Sequence, residues 1–167
     1  NTFAVNLLGE VYRDSGFTDA NLVLSPFSVA RNLAVLTEAT SGESRKELLE
    51  ALGGETALSD AKDALSKLLY ADNSVILQCA DALWFDSVTY ALKAPFRSLV
   101  NTKYGVEVAG QDFTDASRAV RTINSWISDN TSGRIDDILT PTDITSETAA
   151  FLVNAIYFEA DWTSPFD

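Results

Sequence analysis

The sequence predicts an α+β fold, with helices packed around a large central β-sheet. Three observations carry that reading. Six stretches have helical periodicity, three long stretches read as strands that are apolar on both faces, and the last of these has no following strand to pair with. A long hydrophobic strand left as a bare edge invites aggregation. The chain is therefore expected to be part of a larger molecule, and residues 1–167 are not expected to fold stably alone.

The elements follow in order. Residues 3–13 place Phe3, Leu7, Leu8 and Val11 on one helical face. NLVLS (21–25) reads as a short strand. Ser25-Pro26 then opens a helix that runs to about Thr37, with serine as cap and proline at the first helical position, where no donor is needed. SGESRKELLEALGG (41–54) is a helix with a serine cap and Gly53-Gly54 as its stop. Residues 58–70 form another helix. Strand 74–85, helix 91–104, strand 106–113 and helix 115–128 follow, the last ending in the turn NTSG. After IDDIL and a loop at Pro141 comes the long strand 149–160.

Within that strand, FLVNAIYF (151–158) sets Leu152, Ile156 and Phe158 on one face and Phe151, Val153, Ala155 and Tyr157 on the other. Asn154 is the only amide of the run. A buried amide without partners costs about 1–3 kcal/mol, so Asn154 demands a hydrogen-bonding partner.

Composition limits the chemistry. With 24 acidic and 12 basic residues the formal net charge is −12. That balance disfavours nucleic acid, whose phosphates need clustered Lys and Arg, and also anionic membrane surfaces. No apolar run approaches the roughly 18–20 residues of a membrane span. The chain opens directly on an amphipathic helical pattern, without a visible signal peptide. There is no histidine, so neither a Ser-His-Asp nor a Cys-His site can be built from these residues. The single Cys79, in the apolar run SVILQCADALWF, reads as core filler. No metal, cofactor or catalytic residue is expected, and the chain is not read as an enzyme. Trp84 and Trp126 read as core aromatics, Asp136-Asp137 as a solvated turn, and the sequon Asn130-Thr131-Ser132 as one more often empty than glycosylated.

Four motifs, in order along the chain, carry a resemblance. NLVLSPFSVARNLAVL, TSGESRKELLEALG, INSWISDNTSGRIDDIL and LVNAIYFEADWTSPF resemble the N-terminal part of a serpin. The resemblance implies a single serpin domain of which 1–167 is the N-terminal portion, with helices around a large mixed sheet and a C-terminal remainder outside this chain. That remainder would carry the reactive loop. In inhibitory members a protease cleaves the loop, which inserts into the main sheet as a new strand and traps the enzyme as a covalent acyl complex. The implied partners are a target protease, of serine or cysteine type, and the C-terminal remainder itself. A non-inhibitory carrier, chaperone or storage serpin is the alternative.

By the same resemblance, Ser25, Ser28 and Asn154 match the family's shutter, a polar cluster beneath the sheet where strands part, and Asn154 is expected to bond Ser28 or its neighbours. Trp162 matches the tryptophan at the breach, where insertion begins. Two departures stand out. Glu159-Ala160 replaces the usual Lys-Gly before that tryptophan, and Ala160 fits only if its backbone avoids positive φ. In helix 58–70, Lys62 and Lys67 are diluted by Asp60 and Asp63, with Asp72 just beyond, so heparin activation through that face is not expected. An extracellular location is favoured over a cytoplasmic one.

Overall fold

The computed structural model describes residues 2–14, 16, 21–56, 75–162 and 164. The chain divides into two compact units, Asn1–Lys67 and Leu68–Asp167.

The first unit holds helices α1 (Thr2–Asp14), α2 (Pro26–Ala39) and α3 (Gly42–Leu52). On α1, Phe3, Leu7 and Val11 are half-buried, whereas Leu8 is 48% exposed and lies off the expected face. Residues 21–25 do not form the expected strand. A strand exists only by pairing, and no strand pairs with these residues among those described; Val23 is 93% exposed.

Helix α2 starts where the Ser-Pro pair places it. Ser25 is extended (φ −106°, ψ 90°), its hydroxyl oxygen accepts from the Ser28 N–H, and Pro26 needs no donor. Ser41 precedes α3 but makes no side-chain cap bond, contrary to expectation. At the other end, Gly53 takes φ 87°, a left-handed conformation that lets its N–H reach the Glu50 carbonyl while the Gly54 N–H reaches that of Leu49. Arg45 ties α3 to α2 by donating to the Thr37 carbonyl at 2.7 Å. The helix expected at 58–70 lies outside the described residues.

The second unit contains β1 (Val75–Asp86), α4 (Ala94–Tyr104), β2 (Glu107–Gln111), α5 (Ala116–Asp129), a short 3-10 turn (Pro141–Asp143) and β3 (Ala150–Ala160). Helix α4 begins three residues later than expected, because Pro95 is tolerated only in the first turn. Strand β2 is shorter than expected. Its chain leaves the ladder at Asp112, whose carboxylate accepts from the Thr114 N–H and hydroxyl and turns the backbone toward α5.

The sheet is mixed, in the order β2-β1-β3. Strand β1 runs parallel to β2 and antiparallel to β3, with Val75 opposite Ala160 and Phe85 opposite Ala150. Its pleat sorts the side chains. One face carries Ala82 and Trp84 with Phe151 and Val153; the other carries Cys79, Asp81, Leu83 and Phe85 with Leu152, Asn154 and Ile156.

Helix α5 covers the first of these faces. Ala119, Val120, Ile123 and Ile127 recur at helical spacing and are buried, Ile123 and Ile127 packing with Ala82 and Trp84. Full burial of such an isoleucine stabilises by about 1.5–3 kcal/mol. Trp126 edges onto Trp84 at a centroid separation of 6.4 Å and donates its indole N–H to Glu107 of β2 at 2.8 Å. Trp84 is thus a core aromatic as expected, while Trp126 is only half-buried.

Asn124 fastens the chain after α5. Its amide donates to the Leu139 carbonyl at 2.8 Å and accepts from the Leu139 N–H at 3.0 Å. Asn124→Ala leaves both backbone groups without these partners. It should cost about 2–3 kcal/mol of stability, measured by urea denaturation of the full-length protein.

Beyond that point Thr140 and Asp143 form a reciprocal capping box. The backbone N–H and then the hydroxyl of Thr140 hold the Asp143 carboxyl below its ordinary value near 3.8. A depressed folded-state pKa means that the unfolded chain binds the proton first on acidification. The resulting stability is therefore present above the ordinary value and lost as pH falls below it. The melting midpoint of the wild type should exceed that of Asp143→Asn at pH 6, and the gap should close progressively below about pH 4.

Candidate functional site

The expected site residues fall on two elements. Ser25 and Ser28 lie at the N-terminus of α2, in the first unit, with their hydroxyl oxygens 2.9 Å apart. The Ser28 N–H donates to the Ser25 oxygen at 3.3 Å, so one hydroxyl serves as both helix cap and partner of the second. The structure therefore brings these two together. Asn154 lies mid-way along β3, in the second unit.

There the register sets Asn154 directly opposite Asp81. The Asn154 amide nitrogen donates to the Asp81 carboxylate at 2.7 Å and also approaches the Cys79 sulfur at 3.6 Å. These are the partners the structure gives the amide, and neither was expected. The other end of the amide, Oδ1, is buried with no hydrogen-bond partner among the described residues.

Asp81 is the residue that sequence reasoning passed over. It is a carboxylate only 4% exposed, in a strand whose same-face neighbours are Cys79 and Leu83. Buried carboxylates are rare unless paired. An acid in the apolar run SVILQCADALWF was therefore the available signal. Which residue it faces depends on a register spanning 73 positions.

Trp162 lies just past the end of β3 and is 73% exposed. Phe158, at 65%, and Ile76, at 45%, belong to the same end of the β1–β3 ladder, which thus presents apolar surface. Glu159 does not stand there as an isolated charge: the Tyr157 hydroxyl donates to its carboxylate. Ala160 is in extended strand, so the positive φ that would demand glycine is not imposed on it.

Two other expectations meet the structure here. Asp136 accepts from the Ser128 hydroxyl at 3.1 Å, and both it and Asp137 are exposed, as expected, but they lie in irregular backbone just beyond the turn at 131–134. In the sequon, the Asn130 amide nitrogen donates to the Trp126 carbonyl, and the Thr131 hydroxyl is buried between the Ile127 carbonyl and the Ile135 N–H. Among the described residues no group of three or more His, Cys, Asp or Glu side chains could hold a metal ion. No helix among them is long and apolar enough to cross a membrane.

Comparison with known proteins decides the family. The family model for Serpin (serine protease inhibitor) matches residues 1–167. The chain belongs to the serpin family. Antichymotrypsin-2 of Bombyx mori is 33% identical over 169 residues, a match covering 100% of this chain and 44% of that protein. Corticosteroid-binding globulin of Pongo abelii is 34% identical over 154 residues, covering 88% of this chain and 37% of that protein. The crystal structure of Manduca sexta serpin-12 superposes with a TM-score of 0.84 at 26% identity, covering 99% of this chain and 46% of the other. The chain thus spans less than half the length of the curated relatives it matches. The helices and the mixed sheet are the corresponding part of the serpin fold.

The serine pair offers a test that separates a helix cap from something more. A cap alone predicts that Ser25→Ala costs about 1 kcal/mol and Ser25→Gly only a few tenths, because glycine tolerates the cap backbone. A shutter role predicts that Ser25→Gly is as damaging as Ser25→Ala, since both delete the oxygen that Ser28 bonds. Thermal denaturation of the two full-length variants reads the difference.

Proposed function

We propose that this chain is the scaffold of a serpin-type protease inhibitor, supplying one wall of the gap into which the reactive loop inserts. One observation carries the reading. Strand β3 is paired along one edge with β1 over eleven residue pairs, and no strand pairs with its other edge among the described residues. A strand held so firmly on one side presents a ready row of N–H and C=O groups to a strand arriving on the other. A relative named as an antichymotrypsin supports the inhibitory version of this reading.

In this proposal Ser25, Ser28 and Asn154 act as the polar cluster that closes the sheet until it must open, and Trp162 marks the end of the gap where the loop enters. The target is a protease, of serine type in the first instance. The site uses no cofactor and no metal, the chain contributes no catalytic group, and no heparin activation runs through residues 58–70. The full-length protein works outside the cell.

Incubation of the full-length protein with a panel of serine and cysteine proteases tests the proposal. At least one enzyme should give a complex that survives SDS. Cleavage by every enzyme with no complex contradicts it. A carrier function is the second reading, favoured by the relative named as a corticosteroid-binding globulin. Limited nicking of the reactive loop separates the two. Insertion should raise the melting midpoint, whereas a non-inserting carrier should melt as before.

A further inference from the structure

On the face of the sheet opposite Asn154, strand β1 and helix α5 border an open recess of about 550 Å³. Trp84 is its floor, and one flank of α5 is its wall, with Arg121, Thr122, Ser125, Trp126 and Asp129. All six residues belong to the second unit. Trp84 is 4% exposed, yet its indole N–H meets no acceptor among the described residues. An indole nitrogen can only donate, and a buried donor without an acceptor is costly enough to be rare. Trp126 differs, because its own N–H is taken by Glu107.

The wall divides its charges along the helix. Arg121, at one end, is exposed and makes no ion pair or side-chain hydrogen bond among the described residues. Asp129 lies eight residues further on, about 12 Å along the axis, and is likewise unpaired among them. Thr122 already commits its hydroxyl to the Arg118 carbonyl. The two indoles of the recess meet edge to face, with their planes at 78°. A guanidinium, an aromatic surface and an unmet donor thus share one recess.

We propose that this recess binds a small aromatic carboxylate carrying a second acceptor oxygen. The carboxylate pairs with the Arg121 guanidinium, whose planar fork matches it. The ring packs on the indoles, and the second oxygen accepts from the Trp84 N–H. Asp129 repels a second anion and so sets the direction in which the ligand lies. The Trp84 N–H is closed to bulk water, so a neighbour must yield before the oxygen reaches it. Trp126 is that movable wall, being half-buried and held to Glu107 by a bond at the surface. An aliphatic ligand would leave the donor unmet, and a cation would face the guanidinium. The site uses neither the outer edge of β3 nor the serine pair, so it stands whether or not the protein traps a protease.

Isothermal titration of the full-length protein with 6-hydroxy-2-naphthoate, and with 2-naphthoate, which lacks the second oxygen, tests the site. The hydroxy compound should bind with a Kd below about 1 mM and about fivefold more tightly than its parent. Arg121→Gln should weaken both by about tenfold. Trp84→Phe keeps an aromatic ring without an N–H, so it should bind the two alike. In protein labelled with 15N-tryptophan, the indole signal lost in Trp84→Phe should move on saturation with the hydroxy compound. If Trp84→Phe does not fold, the two naphthoates on the wild type and on Arg121→Gln carry the test.

No binding of either compound at about 5 mM overturns the site. Equal binding of the two by the wild type, or a preference that survives in Trp84→Phe, overturns the acceptor at Trp84. Affinity unchanged in Arg121→Gln overturns the carboxylate end. A full-length structure in which a protein carbonyl accepts from the Trp84 N–H overturns the proposal as well.

Discussion

Everything in the second unit depends on the antiparallel pairing of β1 with β3. Its register runs without a break from Val75 opposite Ala160 to Phe85 opposite Ala150. Because side chains alternate across a strand, a slip of one residue would send Trp84 and Phe151 to the wrong face and move Asn154 off Asp81. The same pairing therefore builds the apolar surface on which α5 sits and brings together the amide and carboxylate on the opposite face. Core and site are set by one constraint.

Helix α5 reinforces that constraint from one side only. Ile123 and Ile127 pack against Ala82 and Trp84, Trp126 bonds Glu107 of β2, and Asn124 holds the backbone at Leu139. These contacts reach β2, β1 and the segment leading to β3. None of them occupies the outer edge of β3, which is left to its own backbone groups among the described residues. The proposed insertion of a loop strand needs such a division, with a rigid half-sheet and an edge able to accept a strand.

What the sequence made legible follows from the range of the forces involved. The start of α2 and the end of α3 were readable because a Ser-Pro cap and a left-handed glycine act over a few residues. The alternation in FLVNAIYF was readable for the same reason. NLVLS looked like a strand because its composition suits one, but a strand is a property of two chains, and none pairs with it among the described residues. The start of α4 was misplaced because Pro95 restricts helix entry more tightly than the apolar pattern suggests. Asp81 went unnoticed for the deepest reason. Its role is created by a partner 73 residues away, and no local pattern encodes that register. The serine pair was legible as a cap, and as part of a closing cluster only through the family resemblance.

The central claim is that β3 is the fixed wall beside which a strand is added. Amide hydrogen exchange of residues 150–160 in the full-length protein, before and after nicking of the reactive loop, tests it most directly. Antiparallel pairing with β1 uses only alternate N–H groups of β3. The account predicts that the others, in the part of β3 between Asn154 and the Trp162 end that faces the gap, exchange readily in the intact protein and become protected by about a hundredfold or more once a new strand bonds them. Exchange along β3 that is unchanged by nicking would contradict it.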